Sequence, residues 1–163
     1  MKHILLLLFL LILSSCSTTD SGVYKKSISV ENKLTEENLY PWSTMSSEGS
    51  DFALQNKNTK SLFLFNSACR KYEASTLNSL TSSMLAGIED VKITENKNVF
   101  YQNREAVEVA ANGKLDGVIR FFRIVTIQKN NCIYDYILIS TNQKNLDADS
   151  PSLKLFLQRI ILN

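Results

Sequence analysis

Residues 117–128 and 133–140 are two long runs in which both alternating sets of side chains are largely apolar. Each run reads as a strand, and the polar stretch Lys129-Asn130-Asn131-Cys132 between them makes a hairpin. If Gln128 lies opposite Cys132, one face holds Ile119, Phe121, Arg123, Val125 and Ile127 with Ile133, Asp135, Ile137 and Ile139. The other face holds Val118, Arg120, Phe122, Ile124 and Thr126 with Tyr134, Tyr136 and Leu138. An antiparallel sheet with one wet face alternates polar and apolar residues. This hairpin does not, so it needs cover on both sides.

Two amphipathic segments can supply that cover. Leu77, Leu80, Met84 and Ile88 fall on one helical stripe, with Ser75 or Thr76 to cap its start and Gly87 to end it. That predicts a helix near 75–87. Ser150-Pro151 looks like a cap followed by proline in the first helical position. Leu153, Phe156, Leu157, Ile160 and Ile161 then form a stripe, predicting a core helix near 151–162. Upstream, 51–54 and 61–65 read as strands joined by the polar turn 55–60. Residues 91–94, 99–101 and 106–111 read as further strands, with Asn112-Gly113 and Asp116-Gly117 as turn pairs. The expected fold is α+β: an antiparallel sheet of about six strands in a helix–sheet–helix sandwich, one domain over 41–163.

The first fifteen residues differ in kind. Met1-Lys2-His3 is a cationic tip, Ile4 to Leu13 is an unbroken apolar run, and Ser14-Ser15 precede Cys16. That is the pattern of a secretory signal peptide. Ten apolar residues span roughly 15 Å as a helix, about half a bilayer core, too little for a permanent anchor. Leu13-Ser14-Ser15-Cys16 resembles the lipobox of bacterial lipoproteins. The resemblance implies cleavage between Ser15 and Cys16 and lipid attachment at the Cys16 thiol. Ser17, where an aspartate would signal inner-membrane retention in enterobacterial-type sorting, implies export to the outer membrane, facing the periplasm. Residues 16–40 are polar and weakly periodic and read as a lipidated flexible tether. Val23-Tyr24 or Ile28-Ser29-Val30 as an added edge strand is the alternative.

The order of elements over roughly 50–163, with its closing helix, resembles the photosystem extrinsic-protein family and related bacterial periplasmic proteins, the PsbP/DcrB-like fold. The resemblance lies in element order, not in a motif. It implies the sandwich and a choice among accessory, chaperone-like and binding roles.

Composition narrows the chemistry. Without the leader, 17 Lys+Arg face 16 Asp+Glu, which gives no electrostatic footprint for nucleic acid. The single histidine, His3, lies in the leader, which argues against histidine-based nucleophilic, acid/base or zinc chemistry beyond it. Glycines do not fall at phosphate-loop spacing. No cofactor or metal site is expected. Cys69 and Cys132, an even pair in an exported chain, read as a disulfide, with two buried thiols as the alternative. In the register above, Arg123 and Asp135 are diagonal neighbours and form a candidate polar spot on the sheet, or else an ion pair at its margin. Glu36-Glu37, Glu89-Asp90, Asp147 and Asp149 are the candidates for glycosidase-like work by carboxylates alone, but none lies in a recognisable motif, and acids in turns or helix starts are usually solvated or capping. Trp42 with Tyr40, and Tyr134 with Tyr136, read as packing aromatics or a binding surface. Two functions remain. One is a non-catalytic envelope lipoprotein serving a transport or assembly complex through a protein partner. The other is a lipoprotein holding a lipid or small ligand in an apolar pocket between helix and sheet.

Overall fold

The computed structural model describes residues 39–69 and 75–160. The expected signal peptide, lipid attachment at Cys16 and most of the tether lie outside these residues. Among the described residues, seven strands form one antiparallel sheet: β1 (Trp42–Thr44), β2 (Phe52–Asn56), β3 (Leu62–Cys69), β4 (Glu89–Tyr101), β5 (Arg104–Leu115), β6 (Val118–Lys129) and β7 (Cys132–Ser140). Their order is β1-β2-β3-β7-β6-β5-β4. The α+β expectation holds, with more strand than about six predicted. Trp42–Thr44 adds an edge to β2. The two short segments at 91–94 and 99–101 merge into β4, which stays paired with β5 through two irregularities near its start. The polar residues 95–98 between them read as a turn in the sequence, but an edge strand tolerates them because much of it meets water.

The C-terminal half is a meander with three two-residue turns. Gln102-Asn103, Asp116-Gly117 and Asn130-Asn131 each place both residues at positive φ, between 51° and 74°. That is the twist-matched type I′ geometry, open to asparagine and glycine. The last turn corrects the predicted register by one residue. Lys129, not Gln128, lies opposite Cys132. Phe121, Arg123, Val125 and Ile127 therefore share a face with Tyr134, Tyr136, Leu138 and Ser140, while Asp135 lies opposite Thr126 on the other face. Because side chains alternate, that single step separates Arg123 from Asp135. Asn112-Gly113 is no turn either. Both residues lie inside β5, opposite Phe121 and Arg120.

Helix α1 (Leu77–Leu85) covers one face. The Thr76 side chain accepts from the Ser79 amide at 3.2 Å, as a cap should. Thr81 and Leu85 are its buried residues, so the inward stripe is rotated slightly from the predicted one through Leu80. Leu77, Met84, Leu85 and Ile88 pack on Val107, Val109, Ile124 and Ile137.

Helix α2 (Gln143–Arg159) covers the other face. It begins eight residues before the predicted start. Asn142 caps it by accepting from the Asn145 amide at 2.8 Å, and Pro151 sits inside the helix. Its first two turns bury little beyond Leu146 and Asp149, so their polar sequence hid them. The predicted stripe is otherwise inward: Leu153, Phe156, Leu157 and Ile160 are buried. Ile161 lies outside the described residues. Phe156 centres the core, with its ring 4.5 Å from Phe63 and 5.5 Å from Trp42. The predicted disulfide is present: Cys69 and Cys132 are bonded and form the last pair of the β3–β7 ladder.

Gly113 marks a close approach. A Cβ there would lie 2.6 Å from Ile88 Cγ2 and 2.8 Å from the Glu89 carbonyl oxygen. Relief needs the α1–β4 connection to move, so Gly113→Ala should lower unfolding stability by about 1–3 kcal/mol. Equilibrium denaturation measures this, and an unchanged midpoint would contradict the contact.

Candidate functional site

Register places two polar groups on opposite faces of the sheet. Under the flank of α2, β5 turns Glu108 inward beside Arg123 of β6 and Lys97 of β4. Arg123 Nη1 donates to Glu108 Oε1 at 2.6 Å and to Glu95 Oε2 at 3.3 Å. The Tyr101 hydroxyl donates to Glu108 Oε2 at 3.0 Å. Lys97 Nζ lies 2.9 Å from Glu95 and 3.7 Å from Glu108. Glu108 is 3% exposed, and these donors satisfy its side-chain oxygens inside the protein. Burial, followed by the neighbouring Glu108 carboxylate, pushes the Tyr101 hydroxyl up to about 12. It therefore stays a proton donor at neutral pH. The Lys97 contact is the main cause holding the Glu95 carboxyl below its ordinary range, and Glu95 in turn raises Lys97.

This cluster floors an open cleft of about 490 Å³. Val99, Phe100 and Leu153 form its apolar side, and Asp147, Ser150 and Lys154 of α2 form its rim. A second open cleft, about 740 Å³, lies by the start of α1, among Thr76, Leu77, Asn98, Phe100 and Glu105. Both clefts are open to solvent. The central space between α2 and the sheet is instead filled by Trp42, Phe63, Phe65, Tyr136 and Phe156.

On the α1 face, Asp135 accepts from the Thr126 hydroxyl at 2.9 Å. Burial pushes its carboxyl up to about 6, partly offset by that hydrogen bond. The predicted Arg123–Asp135 spot is thus two sites. Arg123 finds Glu108 and Glu95, whereas Asp135 finds Thr126. In the sequence Glu108 reads as one polar residue in the strand 106–111, with nothing to mark it as a site. The signal was its place on the face that also carries Ala106 and Ala110, both buried.

The other predicted carboxylates do not converge. Asp149 is buried and accepts from Asn56 at 2.8 Å and Thr59 at 2.6 Å, which ties α2 to the β2–β3 turn. Asp90 pairs with Lys114, and Asp147 accepts from Gln143. Glu36-Glu37 lie outside the described residues. Among the described residues, no group of histidine, cysteine, aspartate and glutamate is arranged to hold a metal ion. Tyr134, Tyr136 and Trp42 are core residues, while Tyr40 is exposed.

No family model and no curated protein matches the chain. Solved structures share its fold. PA94 of Pseudomonas aeruginosa, a protein of unknown function, superposes with a TM-score of 0.51 at 12% identity, over 75% of this chain and 81% of its own. The cyanobacterial PsbP of Synechocystis sp. PCC 6803 superposes at 0.50 and 8% identity, over 71% of this chain and 78% of its own. The fold is therefore PsbP-like, in agreement with the element order of the sequence.

Two outcomes test the site. Glu108→Gln leaves the half-buried Arg123 charge without its nearest counter-charge and should cost about 2 kcal/mol. Replacing both partners, Glu108→Gln with Arg123→Met, should recover much of that loss in a double-mutant cycle, and strict additivity would contradict the coupling. Asp135 is an acid whose folded-state pKa lies above its unfolded value. Its contribution is fully present below about pH 4 and is lost as pH rises through about 6. Asp135→Asn should therefore be more stable than wild type at pH 7, by on the order of 2 kcal/mol, and level with it at pH 4. Equal stabilities at pH 7 would contradict the buried assignment.

Proposed function

We propose that this chain is a membrane-anchored lipoprotein of the bacterial cell envelope, held by lipid on Cys16 after removal of residues 1–15. It sits at the outer membrane facing the periplasm. There it acts without catalysis, as an accessory or binding component of an envelope transport or assembly complex. The observation that carries this reading is the leader ending in Leu13-Ser14-Ser15-Cys16. The Cys69–Cys132 disulfide fits an oxidising compartment. No helix among the described residues is long and apolar enough to cross a membrane, and lipid on Cys16 would supply attachment instead.

The filled interior favours this reading over a lipid carrier. A lipid or small apolar ligand needs an enclosed apolar pocket, and aromatic side chains occupy the space between α2 and the sheet. The clefts that remain are open and partly charged, better suited to a protein surface than to an acyl chain. The buried carboxylates Glu108 and Asp149 are already engaged by protein donors, which also disfavours a glycosidase-like role.

The test is the lipid itself. Wild-type protein should partition with membranes and carry a diacylglycerol mass on Cys16. Cys16→Ser should accumulate as an unprocessed or soluble exported form. A variant that fractionates with membranes at the wild-type mass would overturn the anchor.

A further inference from the structure

The sheet register places the start of the described chain and the β5–β6 turn at one end of the molecule. Trp42 pairs with Asn56 beside the β2–β3 turn, and the Lys57 amide donates to the Pro41 carbonyl at 2.9 Å. Leu62 opens β3 opposite Ile139 near the end of β7, and Ser140 pairs with Phe121. Strands β5 and β6 do not stop there. Pairing continues through Gly113–Arg120, Lys114–Ile119 and Leu115–Val118. Three further residues carry the hairpin roughly 10 Å beyond β7, and on its other side β4 pairs with it as far as Glu89–Lys114, one residue short of the Leu115–Val118 tip.

The projecting tip is apolar in the wrong place for a soluble turn. Leu115, Val118 and Ile119 are 36%, 49% and 57% exposed. Leu115 and Val118 lie on the α1 face of the hairpin, and Ile119 lies on the α2 face. A wedge apolar on both faces does not match a flat protein surface, whereas a fluid interface closes around it. We propose that this hairpin tip is a second membrane contact, with Leu115, Val118 and Ile119 dipping into the interfacial layer of the bilayer.

The position of the tip argues for that occupant. The chain leaves the described domain at the same end, and 22 residues separate Leu39 from Cys16. On the tether reading of the sequence, 22 residues would reach about 25 Å, so an anchored Cys16 would keep this end close to the bilayer. Charge contributes little. Exposed Lys57, Lys60 and Lys144, with Arg120, are offset by Glu89, Asp116 and Asp147, and Lys114 is paired with Asp90. The contact is therefore apolar and should be nearly insensitive to salt. The inference rests on the anchor reading for the nearness of the membrane, and its test supplies the anchor chemically.

The chain from Cys16 to Asn163, with the Cys69–Cys132 bridge intact, is coupled through the Cys16 thiol to a maleimide lipid in phosphatidylcholine vesicles. Trp42 is the single native tryptophan and is buried, so V118W adds an exposed reporter, and I119W adds a second on the other face. The added emission should shift to the blue on coupling. Bromines at the shallow end of the acyl chains should quench it at least about twofold, with little change in high salt. Leu115→Asp should abolish the quenching of the V118W reporter. Water-like, unquenched emission from both reporters on coupled vesicles overturns the proposal. So does a concentration-dependent blue shift without vesicles, which would mark pairing with a second copy. Lipidation in cells is settled separately by the Cys16 variant.

Discussion

The antiparallel pairing of β3 with β7 joins two pieces of chain that, among the described residues, have no other sheet contact. The β1–β3 segment forms one side, and the β4–β7 meander forms the other. Eight residue pairs, Leu62–Ile139 to Cys69–Cys132, make the seam. Its sequence separation is large, so the chain entropy lost in closing it is large as well. Two features offset that loss. β7 is buried on both faces, with Tyr134, Tyr136 and Leu138 under α2 and Ile137 under α1. The disulfide closes a sequence separation of 63 residues at the seam's end, a constraint worth about 4 kcal/mol on the chain-entropy account.

Helix α2 clamps the same seam from above and is held at both ends. Near its start, Asn145 donates to the Thr59 carbonyl, and Asp149 accepts from Asn56 and Thr59. At its far end, Gln102 of the β4–β5 turn donates to the carbonyls of Leu157 and Ile160 at 2.6 and 2.9 Å. Those carbonyls would otherwise lack partners, as at any helix C-terminus. One turn residue from the meander thus finishes a helix that packs across the sheet. The Glu108–Arg123 pair lies along the helix flank, where opposite charges face each other at 2.6 Å.

Much of this architecture was legible in the sequence because its signals are periodic. The two-faced apolar runs gave the central hairpin, and the stripe from Leu153 to Ile160 gave the core helix. The cysteine pair gave the bridge. The misses have physical reasons. Asn130-Asn131 is a two-residue turn without glycine, so the hairpin could be placed one step out of register, and that step invented an Arg123–Asp135 neighbour. Asn112-Gly113 carries a turn signature, but Gly113 is there because Ile88 and Glu89 approach its Cα. The start of α2 was hidden because its partners are buried polar groups, Asp149 with Asn56, which periodicity does not register. Glu108 is a buried acid on an apolar face, and the strand that carries it does not show that its counter-charges come from the two flanking strands, Lys97 of β4 and Arg123 of β6.

The central claim is that the β3–β7 seam is the last part of the molecule to open. Native-state hydrogen exchange across a denaturant series tests it residue by residue. Amides in 62–69 and 132–140 should exchange only through global unfolding, with the full denaturant dependence. Those of β4, the long exposed edge, should open locally at lower free energy. Seam amides that exchange through small, denaturant-independent openings while β5–β6 stays protected would contradict the account.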